Sequence, residues 1–208
     1  MLSAETVLAF FTASLLLGLA PGPDNLFVLA QSTLHGRTAG LVVMLGLCTG
    51  LVAHSVAVAL GAAAVFQSSA VAFSILKFSG AAYLLYLAWR TFTAEALPLA
   101  DAGRGSPGRW ALYRRGIVMN VTNPKVSVFF LAFLPQFADP ARGSVAVQIV
   151  LLGALFIVAT ILVFGGIAIA AGTLRERLSR SDRAQTVLNK LAAIVFIGLA
   201  ARLATSQR

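Results

Sequence analysis

The chain has 208 residues, 59% of them hydrophobic and 11% charged, where a soluble domain carries about 25% charged residues. That balance excludes an ordinary water-soluble domain, whose surface would show apolar patches far beyond the few hundred Å² that monomers tolerate. The net charge of +9 would suit nucleic acid only as a basic cluster on a soluble face. No nucleic-acid partner is therefore expected, and the solvent is a lipid bilayer.

Long runs without charge locate the spans, because a charge at mid-bilayer costs about 2.5–3.5 kcal/mol on insertion scales. A spanning helix needs about 20 apolar residues, and six segments of that order appear. The first runs from Thr6 to Leu34 and is broken at Pro21-Gly22-Pro23-Asp24-Asn25; no positive stretch precedes it, so it reads as a span rather than a signal peptide. The second covers Ala39 to Phe66 and the third Val71 to Phe92. A polar linker, 93–111 at its widest, carries Pro98, Asp101, Arg104 and Pro107. The fourth segment, Leu112 to Phe137, is interrupted by Asn120, Asn123, Pro124 and Lys125. The fifth runs from Val145 to Thr173 and the sixth from Val187 to Ala204, with Lys190 and Arg202 near enough to its ends to snorkel. The expected fold is a single all-α integral membrane domain over residues 1–208.

Lys and Arg accumulate on the cytoplasmic side of membrane proteins. One set of alternating loops and edges holds eleven of the 16 basic residues, namely Arg37, Arg90, Arg104, Arg109, Arg114, Arg115, Arg175, Arg177, Arg180, Arg183 and Lys190. The opposite set, including the Gln67-Ser68-Ser69 turn, holds Arg142, Arg202 and Arg208. Six spans with both termini outside satisfy this pattern. A five-span alternative lets the first segment enter and leave on one side at its proline break.

The third and sixth segments repeat a pattern. Lys77 and Arg90 flank one Leu/Ala-rich stretch and Lys190 and Arg202 the other, at nearly equal spacing. Two three-helix halves, 1–92 and 112–208, must point opposite ways because three is odd. This is the inverted-repeat plan of many secondary transporters, with the first helix of each half broken; chance similarity among Leu and Ala is the alternative.

Irregular backbone at membrane depth is tolerated where it is buried in protein or lines a cavity. Pro21 and Pro23 have no amide hydrogen, so the carbonyls of Leu17 and Leu19 lose their helical donors, and Gly22 permits a sharp bend. Asp24 or Asn25 is expected to cap the second half-helix, and Asn123 to cap another with Pro124 at its first position. At 1.5 Å per residue, Asp24 lies roughly 20 Å from Arg37 and Lys125 roughly 15 Å from Arg115, both near mid-bilayer. A carboxylate and an ammonium beside two helix breaks form one polar centre suited to a free amino acid. Half-helix N-termini and Lys125 favour its carboxylate, and freed carbonyls and Asp24 its ammonium group. Asp24 is also the candidate for a coupling proton. A purely structural ion pair is the competing reading.

His54 reads as a helix–helix hydrogen-bond partner or, alternatively, a proton relay. Gly46 and Gly50 form a GxxxG that signals close helix packing; Tyr83 and Tyr86 share a helix face, and Lys77 is placed to snorkel. Lone Cys48 sits in an apolar run, so no disulfide forms within the chain. With two histidines and one cysteine, no soft-metal site and no cofactor are expected. No HExxH, GxSxG or Walker loop appears, so the chain is not read as an enzyme.

The segment Ala20-Pro21-Gly22-Pro23-Asp24-Asn25 and the segment Asn120-Val-Thr-Asn123-Pro124-Lys125, with the following Phe129-Phe130-Leu131-Ala132-Phe133-Leu134-Pro135-Gln136-Phe137, resemble the LysE translocator family. The likeness extends over nearly the whole chain. It implies export of amino acids or close derivatives across the bacterial inner membrane, energised by the proton gradient, with Pro21, Gly22, Pro23, Asn123, Pro124 and Lys125 as motif positions. Asp24, Asn25 and Asn120 join them by proximity and chemistry. An exporter of another small solute or metal ion, a channel and a non-transporting helical scaffold remain the alternatives. The oligomeric state, a homodimer included, stays open.

Overall fold

A computed structural model describes residues 2–68, 70–93, 108–179 and 182–205. The expected linker between 94 and 107, Ser69, Arg180 and Arg208 lie outside the described residues, as do the side chains of Arg175, Arg177 and Arg183. The described chain is helical, without strands. Its α-helices are α1 (Ala4–Leu19), α2 (Pro23–His35), α3 (Arg37–Ser68), α4 (Ala70–Phe92), α5 (Arg109–Val121), α6 (Pro124–Val128), α7 (Val145–Ser179) and α8 (Asp182–Thr205). Five residues of π-helix, Phe129–Phe133, and a 3-10 turn, Leu134–Phe137, continue α6.

The segment boundaries agree with the sequence reading to within three residues, except that α7 runs six residues past Thr173 and α8 begins five before Val187. Ser3 starts α1 by accepting the Thr6 amide on Oγ at 3.1 Å, and Glu5 complements the positive end of the helix. Gly36, at φ 85°, makes the left-handed corner between α2 and α3 that a side chain would strain.

Among the described residues, two helices, Arg37–Gly61 and Val145–Ala171, are long and apolar enough to cross a bilayer, or up to four when each bent pair counts as one. The bent pairs are α1 with α2, at 61°, and α5 with the 124–137 segment, at 49°. Both bends fall where the prolines remove amide donors.

Helix α3 packs along α5, α7 and α2, while α7 packs along α1 and α2, and α4 along α8. The GxxxG of α3 explains its closest approach. A Cβ on Gly46 would run into the Tyr113 carbonyl, and one on Gly50 would lie 2.6 Å from Asn120 Oδ1. Gly116 answers from α5, where its own Cβ would meet the Gly46 Cα at 3.0 Å. The GxxxG is thus a packing motif, as expected.

The apolar interior divides into two clusters. One gathers Phe10, Leu17, Phe129, Phe130, Phe133, Phe156 and Phe196; the other gathers Val28, Val43, Leu47, Cys48, Leu112 and Phe164. Both helix breaks fall between them, since α1 ends in the first cluster and α2 continues into the second. Large side chains such as Leu60, Ile169 and Ile194 face outward, as suits helices surrounded by lipid.

Candidate functional site

Pro21 and Pro23 end α1 at Leu19 and begin α2 at Pro23. The cap is a correction to expectation: Gly22, in extended conformation, occupies the N-cap position without a side-chain hydrogen bond. Pro23 presets the first helical position, which puts Asp24 and Asn25 inside the first turn and frees both side chains for other partners. Asn25 Nδ2 reaches back to donate to the Gly18 carbonyl at 2.7 Å. The broken end of α1 is therefore held by the chain that follows it.

The second break forms as expected. Asn123 Oδ1 accepts the Lys125 amide at 3.0 Å, capping α6 with Pro124 at its first position. Lys125 Nζ then crosses to the first break, where it donates to the Ala20 carbonyl at 3.2 Å and lies 3.5 Å from Asp24 Oδ1. One ammonium group so joins the C-terminal end of α1, the first turn of α2 and the start of α6.

This centre is withdrawn from solvent. Asp24 is 3% exposed, Lys125 5%, Asn120 3%, Asn123 4% and Asn25 9%. The backbone comes close as well, for a Cβ on Gly22 would stand 2.8 Å from Asp24 Oδ1 and 3.0 Å from Lys125 Nζ. Glycine leaves the room that the ion pair occupies.

Several buried polar atoms here have no hydrogen-bond partner among the described residues: Asp24 Oδ1, Asn25 Oδ1, Asn120 Oδ1 and Asn123 Nδ2. Buried polar groups are ordinarily paired, since leaving one unpaired costs about 1–3 kcal/mol. These acceptors and one donor, beside the two breaks, are groups that a small polar solute can pair with. Gln31 Oε1 is a further unpartnered buried acceptor, two turns along α2 from Asp24. Sequence reasoning missed Gln31; the available signal was its position seven residues, or two turns, after Asp24 on the same face of α2.

The structure also brings His54 to this centre. Its Nε2 lies 3.4 Å from the Asn120 carbonyl, which has no i+4 amide donor at Pro124 and accepts the Asn123 amide at 3.1 Å instead, and its ring lies 5.5 Å from that of Phe130. His54 thus bonds between helices at the second break. Pro21, Gly22, Pro23, Asp24, Asn25, Asn120, Asn123, Pro124, Lys125 and His54 all meet in one region, which no single helix could assemble. The other polar residues singled out lie elsewhere: Lys77 sits over the Phe78 ring at 4.7 Å, and Tyr83 and Tyr86 pack together at 5.8 Å. Among the described residues, no group of three or more His, Cys, Asp and Glu gathers to hold a metal ion.

Two breaks joined by a buried ion pair, in a chain with long apolar helices, accord with the family match: the LysE type translocator pattern covers residues 15–207. The chain belongs to the LysE type translocator family. As a LysE type translocator it is a transmembrane transport protein. It is 35% identical over 205 residues to the homoserine/homoserine lactone efflux protein of Salmonella typhi, covering 96% of each chain, and equally so to that of Salmonella typhimurium. It is 34% identical over 200 residues to an uncharacterized membrane protein of Vibrio cholerae, covering 96% of this chain and 97% of the other. No solved structure matches it.

Proposed function

We propose that the protein exports amino acids or close derivatives of the homoserine class across the bacterial inner membrane, by alternating access around the Asp24–Lys125 centre. The observation that carries this reading is the ion pair itself: two opposite charges, each at most 5% exposed, 3.5 Å apart and each beside a helix break. A zwitterion matches the pair group for group. Its ammonium takes the place of Lys125 Nζ against Asp24 and the Ala20 carbonyl, which frees Lys125 for its carboxylate. The names of the two Salmonella relatives point to the same solute class.

The architecture proposed is six spans in two inverted halves. Bends of 61° and 49° keep each second half-helix advancing in the direction of the first, which favours broken spans over hairpins. The packing of α3 on α5 is matched by that of α7 on α1, as a pseudo-two-fold between halves requires. Asp24 is proposed to carry the coupling proton, with His54 at the second break as its nearest alternative. The experiment is to load cells with labelled L-homoserine and follow efflux with and without the overexpressed protein. Accelerated efflux that collapses when the proton gradient is dissipated supports the reading. Efflux unchanged by overexpression, for homoserine and every other amino acid tried, refutes it.

A further inference from the structure

The aromatic residues of the second broken helix form a plug between the polar centre and one end of the bundle. From Lys125 the chain passes Phe129, Phe133 and Phe137 at four-residue steps, and from Ala20 back along α1 it passes Leu17 and Phe10. Phe10 meets Phe129 at 5.8 Å and Phe137 at 5.1 Å between ring centroids. Phe129 and Phe133 stand 4.9 Å apart, and Phe156 of α7 closes against Phe129 at 5.1 Å.

Beyond the plug lies a cavity of about 350 Å³ lined by Glu5, Thr6, Gln136, Phe137, Arg142 and Arg202, among others. That volume falls at the lower end of ligand sites, about 300–1,000 Å³. Arg142 is paired with Asp139 at 3.2 Å. Glu5 and Arg202 take part in neither of the ion pairs among the described residues, so the cavity offers one carboxylate and one guanidinium of its own. The Arg202 guanidinium lies over the Phe137 ring, 4.4 Å from its centroid, and Phe137 is the last ring of the plug.

We propose that this cavity is a second solute subsite on the outer side, where Arg202 takes the carboxylate of a zwitterionic amino acid and Glu5 its ammonium group. A carboxylate bound there draws Arg202 off Phe137 and loosens the outermost ring of the plug, so occupancy of the subsite and opening of the path are coupled. The amino-acid class rests on the function proposed above; the outer subsite rests on the cavity and its charges.

The test uses membrane vesicles of both orientations carrying the full chain. Arg202→Gln is expected to raise the half-saturation concentration for L-homoserine at least tenfold when the solute is offered to the outer face, and less than twofold at the cytoplasmic face. Homoserine lactone, which has no free carboxylate, should be unaffected at either face. Equal shifts at both faces, or none, overturn the subsite. A second readout needs no transport: in a Cys48→Ser background, an impermeant maleimide should label a Thr6→Cys variant, whose side chain lines the cavity while Glu5 and Arg202 stay intact, from the face opposite an Arg37→Cys control. L-homoserine should slow that labelling. Labelling from the Arg37 face, or labelling that L-homoserine leaves unchanged, overturns the proposal. A wild-type protein that moves no amino acid refutes the exporter reading instead, and leaves labelling and its protection to decide the subsite.

Discussion

Removing the ammonium of Lys125 alone should destabilise the protein more than removing both charges of the central pair. At 3.5 Å and an effective dielectric of about 20, the attraction between Lys125 and Asp24 is about 5 kcal/mol. Deleting one partner of a buried pair costs about 3–5 kcal/mol, because it strands the other charge. Lys125→Ala strands a carboxylate that is 3% exposed and also leaves the Ala20 carbonyl without its donor, so it falls in that range. Asp24→Asn costs less, because Lys125 keeps its bond to Ala20. The double variant Asp24→Asn/Lys125→Ala strands no charge and should recover about 2 kcal/mol relative to Lys125→Ala. Unfolding in detergent micelles followed by circular dichroism gives the stabilities, and labelled homoserine efflux gives the activities. The double variant should regain stability without regaining transport. A double variant that loses the sum of the two single costs refutes the electrostatic reasoning; one that regains transport with stability makes the pair a structural tie.

Gly46→Leu should lower stability by at least about 1–3 kcal/mol, because its side chain would press on the Tyr113 carbonyl and the Gly116 Cα of α5, backbone atoms that yield only if the helices part. Near-native unfolding of that variant would contradict the α3–α5 contact. Gly22→Ala meets only the ends of the Asp24 and Lys125 side chains, so the fold should persist while efflux falls at least tenfold; full efflux with a well-folded variant would count against a centre that tight. Gln148→Leu should cost about 1–3 kcal/mol, since Gln148 accepts the Asp139 amide at 3.0 Å and donates to the Asp139 carbonyl at 2.8 Å. A stability unchanged in the same unfolding assay would show that these groups find other partners.

The helix breaks were legible because proline acts locally: a missing amide hydrogen at Pro21, Pro23 or Pro124 disturbs the helix within one turn, whatever packs against it. The Asn123 cap and the Gly46/Gly50 packing face were readable for the same reason, each being a property of spacing along one helix. The meeting of Asp24 with Lys125 was readable from their similar depth beside the two breaks, and the 3.5 Å ion pair bears it out. What sequence could not give was the set of backbone acceptors: the carbonyls of Gly18 and Ala20 were invisible as such, because their donors are the side chains of Asn25 and Lys125. The π-helical stretch at Phe129–Phe133 also escaped notice. Pro135 withholds an amide from the α-pattern just beyond it, and the Phe rings set the local winding by packing on Phe10 and Phe156.

Efflux by the Asp24→Asn variant tests the role of the Asp24–Lys125 centre most directly, because this exchange removes the charge while keeping side-chain size. In cells loaded with labelled L-homoserine, with the amount of protein in the membrane matched to wild type, efflux should be no faster than in cells without the protein. Efflux at the wild-type rate would remove the Asp24–Lys125 centre from the transport mechanism.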